Sequence, residues 1–376
     1  MDTITHGIAG ALVAKSFISK REGRLVTWAV TFGSVFPDSD AFANFFISDR
    51  LARLEVHRGI THSLLALPFF ALLLGVLTCL VFRRRGWPLL SLFYGIGIAL
   101  HIMLDVVTSF GTMIWQPWSN VRVAWDSVFI IDLTLSTIVL LPQLLPWVYA
   151  EPRRMIQRAL LVWMFFSGVW AVISFIATSV QIAFPASFVA VASLSIAILL
   201  CAPLVGNRGF RWPARSYCRA GLAAFGCYLV LCALAHRAAL AQVDGFIQKA
   251  GLKAEYRAAL PAPPSLLFWS GLVKSSDGIY RVPIQLGSSA PPSFHFFAHA
   301  GENQYLQNAE MLASVKTYRW FARFPWVTYR HMDGLHIVDY QDIQFFGPFR
   351  GENSPFTYRV SFDDSGRVVS SALLGP

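Results

Sequence analysis

Long apolar runs dominate the first two thirds of the chain. A helix needs about 18–22 apolar residues to cross a bilayer, and the pattern predicts six spanning helices of this length, at residues 64–82, 89–109, 128–149, 159–178, 188–205 and 221–241. Two shorter apolar helices are predicted before them, at residues 4–17 and 25–36. If these also cross, we expect eight spans with both termini outside the cytoplasm.

From residue 242 onward the pattern changes to a mixed, aromatic-rich sequence with proline breaks at 261–264 and 291–292. Alternating or β-branched segments predict antiparallel strands there, and one helix is expected over residues 308–321. The strands are predicted at 278–286, 325–329, 335–339, 356–362 and, after a turn at 363–366, 367–372. A small soluble α+β domain should therefore follow the membrane helices.

The predicted fold class is mainly α, a polytopic transmembrane helical bundle followed by that small α+β domain. Three parts are expected: a membrane metal-site domain over 1–150, additional transmembrane helices over 151–241, and the soluble domain over 242–376. Composition agrees, because 55% of residues are hydrophobic and only 14% are charged. That balance excludes an ordinary soluble protein.

The net charge of +10 alone would suggest a nucleic-acid partner. Its placement argues against one, because the part after Ala241 holds 12 basic and 11 acidic residues, so the surplus lies in the membrane half. There the basic residues gather in four loops, which the positive-inside rule places in the cytoplasm: Lys20, Arg21 and Arg24; Arg83–Arg85; Arg153, Arg154 and Arg158; Arg208, Arg211, Arg215 and Arg219. The predicted partner is the lipid bilayer, with no nucleic acid.

Six ionisable side chains stand at the edges of the apolar segments. Placing a carboxylate at the centre of a membrane helix costs about 3 kcal/mol on insertion scales. Such groups are therefore expected to be paired with other polar groups or to have a function. Alternating the spans brings most of them towards the non-cytoplasmic side. We therefore predict a shared metal ion, with six candidate ligands: His6, Asp38, His57, His62, His101 and Asp105.

His101 and Asp105 stand four residues apart and share one helix face. The pair by itself also fits a buried hydrogen bond. His57 and His62 flank a loop at a helix entry, where flexible backbone can aim both rings. Between them, Arg58 could bind a phosphate or carboxylate oxygen or anchor the chain at the membrane interface.

Pro37 ends an apolar helix and is followed by Asp38 and Asp40. Asp40 is the candidate acid–base group, with a helix cap or a surface charge as the alternative. Together the histidines and aspartates form a donor set typical of zinc in hydrolytic sites, with manganese or iron as alternatives. Such an ion activates water and polarises acyl or phosphoryl oxygens, and the number of ions stays open.

These motifs resemble the YdjM-type family of inner-membrane proteins, which are described as membrane-bound metal-dependent hydrolases and, for one member, as LexA-binding. The resemblance covers about the first 135 residues and rests on Thr5-His6-Gly, Pro37-Asp38-x-Asp40, His57-Arg-Gly-x-Thr-His62-Ser, His101-x-x-x-Asp105-x-x-Thr-x-x-Gly111, Pro117-Trp-Ser-Asn and the segment Trp125 to Asp132. It implies a location in the bacterial inner membrane.

The motif order is also similar to that of the zinc-dependent phospholipase C and S1/P1 nuclease group. On that likeness Asp38, His57 or His62, His101 and Asp105 would hold one ion, and His6 with Asp105 a neighbouring one. The chain lacks the downstream His, His, Glu set that would bind a third ion.

The predicted function is a membrane-bound metal-dependent hydrolase acting on lipid or lipid-linked phosphate esters, with Asp40 and Arg58 as catalytic residues. Its site and C-terminal domain should face the periplasm or exterior. The alternatives are an ion or proton transporter, a metal-stabilised scaffold, and a binder of a regulatory protein partner. The C-terminal histidines His295, His299, His331 and His336 show no spacing that singles them out, and structural or surface roles are expected for them.

Overall fold

The described chain divides into two compact units. A computed structural model describes residues 1–17, 23–179, 186–202, 212–263, 265–288, 293–346 and 356–374. The first unit comprises Met1–Ser39 and Ile60–Cys232, and the second comprises Asp40–Gly59 and Ala233–Pro376. The sequence did not indicate that residues 40–59 pack with the C-terminal region. The three-part division at 150 and 241 stays a prediction.

Most of the helices belong to the first unit. They are α1 (Thr3–Phe17), α2 (Gly23–Gly33), α4 (Leu67–Val81), α5 (Trp87–Val106), α6 (Leu133–Tyr149), α7 (Met155–Ser179), α8 (Ala186–Cys201) and α9 (Ala214–Ala250), whose last part belongs to the second unit. Local signals set several ends: Pro88 lies in the first turn of α5, and the Asp132 carboxylate caps α6 by accepting from Thr134 N–H and Leu135 N–H.

Helices α2 and α5 cross in backbone contact. A Cβ added at Gly97 would lie 2.3 Å from the Val30 carbonyl oxygen, and one at Gly33 would lie 2.5 Å from the Tyr94 carbonyl oxygen. Only glycine leaves room for so close an approach. Around this crossing the two helices and α4 share one apolar core that includes Val26, Ala29, Ala71, Leu90, Ile98 and Ile102.

Three helical segments among the described residues are long and apolar enough to cross a membrane: Trp87–Val106, Pro152–Val172 and Ala214–Ala250. A fourth is added if a bent pair of helical segments counts as one broken span. The apolar helix Leu133–Tyr149 is shorter, because its first predicted residues form the loop that precedes Asp132. A membrane-embedded helical protein is confirmed, and eight spans remain a prediction.

The second unit contains two four-stranded antiparallel sheets, ordered β1-β2-β3-β4 and β5-β6-β7-β8. The strands are β1 (Tyr256–Ala262), β2 (Phe268–Ser275), β3 (Gly278–Gln285), β4 (His295–Ala298), β5 (Pro325–Met332), β6 (Leu335–Asp342), β7 (Thr357–Phe362) and β8 (Val368–Leu374). The five predicted strands are confirmed, whereas β1, β2 and β4 were missed. The predicted single helix is two, α10 (Gln304–Met311) and α11 (Ala313–Phe321), because Leu312 has extended backbone.

The 40–59 segment contributes helix α3 (Arg50–Val56) to this second unit. Asp49 caps α3 by accepting the Leu51 N–H, and α3 packs against α11 and β8. The Thr317 hydroxyl of α11 donates to the Glu55 carboxylate at 3.1 Å. Leu51 and Leu54 provide the buried face of α3.

Several predicted features lie outside the described residues. They are the basic residues Lys20, Arg21, Arg208 and Arg211 and the prolines Pro264, Pro291 and Pro292.

Candidate metal centre

Helix α5 places His101 and Asp105 one turn apart near its C-terminal end, and both side chains are fully buried. His101 Nε2 lies 3.5 Å from Asp105 Oδ2. The i, i+4 spacing therefore brings both groups to one point on the helix surface.

Two further side chains from distant parts of the sequence join this pair. His62 ends a short 3₁₀ helix (Ile60–His62), and Asp38 lies near the start of another (Phe36–Phe45). Each of the four residues Asp38, His62, His101 and Asp105 offers one donor atom, and these atoms lie within 4.8 Å of one another. We call these four residues the membrane centre.

The donor separations suit one small divalent cation. His62 Nε2 lies 3.1 Å from His101 Nε2, 3.3 Å from Asp105 Oδ2 and 3.9 Å from Asp38 Oδ1. His101 Nε2 lies 3.5 Å from Asp38 Oδ1. Metal–ligand bonds of about 2.0–2.1 Å give a tetrahedron with edges of about 3.3 Å, so the membrane centre fits an ion at its middle.

Neighbouring groups orient two of the donors. His101 Nδ1 lies 2.8 Å from the Ser34 carbonyl oxygen. Because a carbonyl only accepts, Nδ1 carries the hydrogen and Nε2 directs a lone pair at the other ligands. The Thr3 hydroxyl donates to Asp38 Oδ2 at 2.5 Å, while Oδ1 faces the two histidines. Sequence reasoning missed Thr3 and Ser34, which carry no ligand signal of their own.

Burial strengthens the case for a cation. Three of the four side chains are completely buried, and Asp38 is only 17% exposed. Removing carboxylates from water is unfavourable unless positive charge compensates them. A divalent ion would supply that charge. The donor set agrees with zinc and does not separate it from manganese or iron.

His6 lies beside the membrane centre but is not one of its four residues. Its Nε2 is 3.2 Å from Asp105 Oδ1, and its ring stacks on His101 with a centroid distance of 3.6 Å. The amine of Met1 contacts the same carboxylate oxygen. Asp105 thus directs Oδ2 at the membrane centre and Oδ1 at His6. A ligand role for His6 stays a prediction.

The other three predicted site residues lie in the second unit and contact each other. Asp40 Oδ2 accepts the Arg58 backbone N–H at 2.7 Å and lies 3.2 Å from His57 Nδ1. The His57 side chain is 40% exposed, whereas Arg58 is buried. His57 is not part of the four-residue group. Its ligand role, and the catalytic roles of Asp40 and Arg58, stay predictions.

The structure also brings together residues that the sequence analysis had set aside. His331, His336 and Asp364 form a second group of metal-type donors within 4.8 Å of one another. The sequence showed no spacing that singles out His331 and His336, and the surface or structural roles expected for them stay a prediction. A usable signal existed, because Asp333-Gly334 is a typical hairpin turn that places the two histidines opposite each other.

Comparison with known proteins gives a family match in the N-terminal part and a similar relative. A family model described as "YdjM inner membrane protein" matches residues 1–179. The "Uncharacterized protein YfhP" of Bacillus subtilis (strain 168) is 28% identical over 131 residues, which cover 33% of this chain and 39% of that protein. No solved structure matches the chain.

All four residues of the membrane centre lie within the part that the family model matches. The predicted family resemblance is thus confirmed. Over residues 1–179, the chain is similar to the YdjM inner membrane protein family.

Proposed function

We propose that the protein is a membrane-embedded metal-dependent hydrolase whose ion is held by Asp38, His62, His101 and Asp105. The observation that carries this proposal is the convergence of four donor atoms from separate segments within 4.8 Å, in a buried site. A proton pathway would need titratable groups that continue across the bundle. The membrane centre is instead a closed cluster with outer hydrogen bonds that fix donor directions.

A bound divalent ion would activate water and polarise an acyl or phosphoryl oxygen. Side chains of the protein would supply acid–base catalysis and substrate binding. Asp40, two residues from the ligand Asp38, is the proposed acid–base group. Arg58 is the proposed binder of a phosphate oxygen, since its planar guanidinium matches that geometry. Both roles are the ones that the sequence predicts for Asp40 and Arg58.

The proposed substrate is a lipid or lipid-linked phosphate ester. Placement in the membrane supports this choice, because the proposed ligands lie at or near the ends of apolar helices, where a bilayer has its lipid headgroups. The 40–59 segment and the C-terminal sheets belong to one compact unit. The proposal places the C-terminal sheets on the periplasmic or exterior face.

The first test measures metal content in the full-length chain, purified in detergent. We expect a stoichiometric divalent ion in the wild type and in the matched control His295→Gln, which alters an exposed histidine of β4. His101→Ala and Asp105→Ala should lose that ion, because each removes one of four donors. Equal metal content in all four proteins would contradict the proposed centre.

The second test measures hydrolysis of a panel of lipid phosphate esters and acyl esters by the same proteins. We expect turnover by the wild type and His295→Gln and its loss in His101→Ala and Asp105→Ala. Metal without turnover on any substrate would favour a metal-stabilised scaffold. Metal-dependent ion flux in liposomes would favour a transporter.

A further inference from the structure

We propose that the C-terminal domain carries a second divalent metal site, formed by His331, His336 and Asp364. This site, which we call the hairpin site, lies in the second unit and does not depend on the proposed hydrolase activity. Its three donor atoms come from β5, β6 and the turn between β7 and β8, and they lie within 4.8 Å of one another.

The β5–β6 hairpin fixes the two histidines opposite each other. Asp333 and Gly334 have φ values of 55° and 72°, as the two central residues of a type I′ turn require. This turn sets the register in which His331 pairs with His336 across the strands. Side chains of directly opposed residues point to the same face with Cβ atoms about 4.5–5.5 Å apart, and the two rings stack with a centroid distance of 4.3 Å.

The His336 ring is held in place from several directions. Its Nδ1 lies 2.7 Å from the Tyr329 hydroxyl, and the Tyr305 ring stacks on it at a centroid distance of 3.7 Å. The side chain is 12% exposed. With Nδ1 engaged by the hydroxyl, Nε2 is the nitrogen that faces Asp364, at 3.0 Å. This arrangement is the usual one for a metal-binding histidine, whose second nitrogen makes an outer hydrogen bond.

The turn between β7 and β8 positions the third donor, the Asp364 carboxylate. The hydrogen bonds that form the turn use Asp363 instead. The Asp363 carboxylate accepts the N–H groups of Ser365 and Arg367 at 3.0 and 2.9 Å, and Gly366 adopts a φ of 80°. These bonds occupy Asp363 and shape the turn. The neighbouring Asp364 side chain, 80% exposed, points its Oδ1 at the histidines.

The distances favour a cation over a simple hydrogen-bonded triad. His331 Nε2 is 3.9 Å from Asp364 Oδ1, which exceeds hydrogen-bond length but is close to the ligand–ligand separation around a tetrahedral ion. His331 is 53% exposed, so it and Asp364 can adjust while His336 stays fixed. Two imidazoles and one carboxylate suit zinc or a related divalent ion, with a fourth position open to water.

The test is a zinc titration of the full-length chain in detergent, with bound zinc counted by equilibrium dialysis. His331→Gln and Asp364→Asn alter exposed side chains, so the fold should survive. Each should bind one zinc ion fewer than the wild type, or bind it at least about tenfold more weakly, since even outer partners of a metal ligand contribute about 10–100-fold to affinity. The matched control His295→Gln should behave like the wild type.

Tyr329→Phe provides a second variant that keeps all three donors. It should weaken zinc binding by about tenfold, because the hydroxyl that orients His336 is lost. A cobalt-loaded sample gives an independent readout: the visible absorption of the metal should change in His331→Gln and not in His295→Gln. Identical zinc isotherms and cobalt spectra for His331→Gln, Asp364→Asn and the wild type would overturn the hairpin site.

The two proposed sites can be separated with His101→Ala. This variant should lose the ion of the membrane centre and retain the zinc that His331→Gln loses. A failure to find metal at the membrane centre would therefore not count against the hairpin site. A failure to find zinc at the hairpin site would likewise not count against the membrane centre.

Discussion

At the scale of single residues, hydrogen-bond partners outside the membrane centre orient its proposed ligands. The Ser34 carbonyl determines which His101 nitrogen carries hydrogen, and the Thr3 hydroxyl determines which Asp38 oxygen faces the histidines. Asp105 divides its two oxygens between the membrane centre and His6. Such outer contacts lower the freedom of each donor before a metal binds.

Thr3→Val should weaken metal binding at the membrane centre by about tenfold, because outer hydrogen bonds of this type contribute about 10–100-fold to affinity. The change removes the hydroxyl that donates to Asp38 and preserves side-chain shape. Competition against a chelator of known affinity measures the effect. Thr31→Val is the matched control, since the Thr31 hydroxyl donates to the Thr27 carbonyl within α2. Equal affinities in the two variants would refute a role for Thr3.

At the scale of elements, the crossing of α2 and α5 sets the distance between the ligands and their supports. Gly33 and Gly97 allow the two backbones to touch. One turn further along, the same contact brings the Ser34 carbonyl to His101. The packing of two helices thus controls the direction of the His101 ring, a proposed metal ligand.

Gly97→Ala should displace α2 and disturb this support. The added Cβ would lie 2.3 Å from the Val30 carbonyl oxygen and 2.7 Å from the Ser34 nitrogen, and backbone cannot swing aside as a side chain can. We expect a loss of about 1–3 kcal/mol in stability, the usual range for overpacking, together with weaker metal binding. Thermal unfolding and metal competition in detergent measure the two effects.

Gly226→Ala is the control for this substitution. Gly226 lies inside α9, and a Cβ there meets nothing within 4 Å. Alanine should stabilise that helix by about 0.5–1 kcal/mol and leave metal affinity unchanged. If Gly97→Ala behaved in the same way, the close crossing would not support the membrane centre.

At the scale of the whole molecule, the chain combines a membrane-embedded unit with a unit rich in β-sheet, and the second unit includes the 40–59 segment. This segment lies between the proposed ligands Asp38 and His62 in the sequence. The chain that connects these two residues therefore belongs to the second unit.

The predicted sidedness gives a test at this scale. A cysteine at Glu302, in an exposed loop before α10, should react with a membrane-impermeant maleimide in intact cells, because the C-terminal domain is predicted to face outwards. A cysteine at Arg84, in the basic loop between α4 and α5, should react only after the cells are permeabilised. The chain with its five native cysteines supplies the background. The opposite labelling pattern would show that the predicted orientation is inverted.

Local patterns in the sequence determined much of this protein. Apolar length predicted the membrane helices, as α5 shows, and alternation predicted β3, β5, β6, β7 and β8. The His101–Asp105 spacing predicted a shared helix face. These features depend on neighbours within a few residues, which the sequence displays directly. The strands β1 and β2 were missed because the Pro and Gly residues they contain are typical of breaks.

Only the tertiary structure decided which distant groups meet. It placed Asp38 and His62 with His101 and Asp105, and it placed His57 with Asp40 in the other unit. It also joined Asp364 to a histidine pair in the C-terminal domain. The physical reason is that such contacts depend on how helices cross and how turns close, as at Gly97. Spacing along the chain does not specify those packing relations.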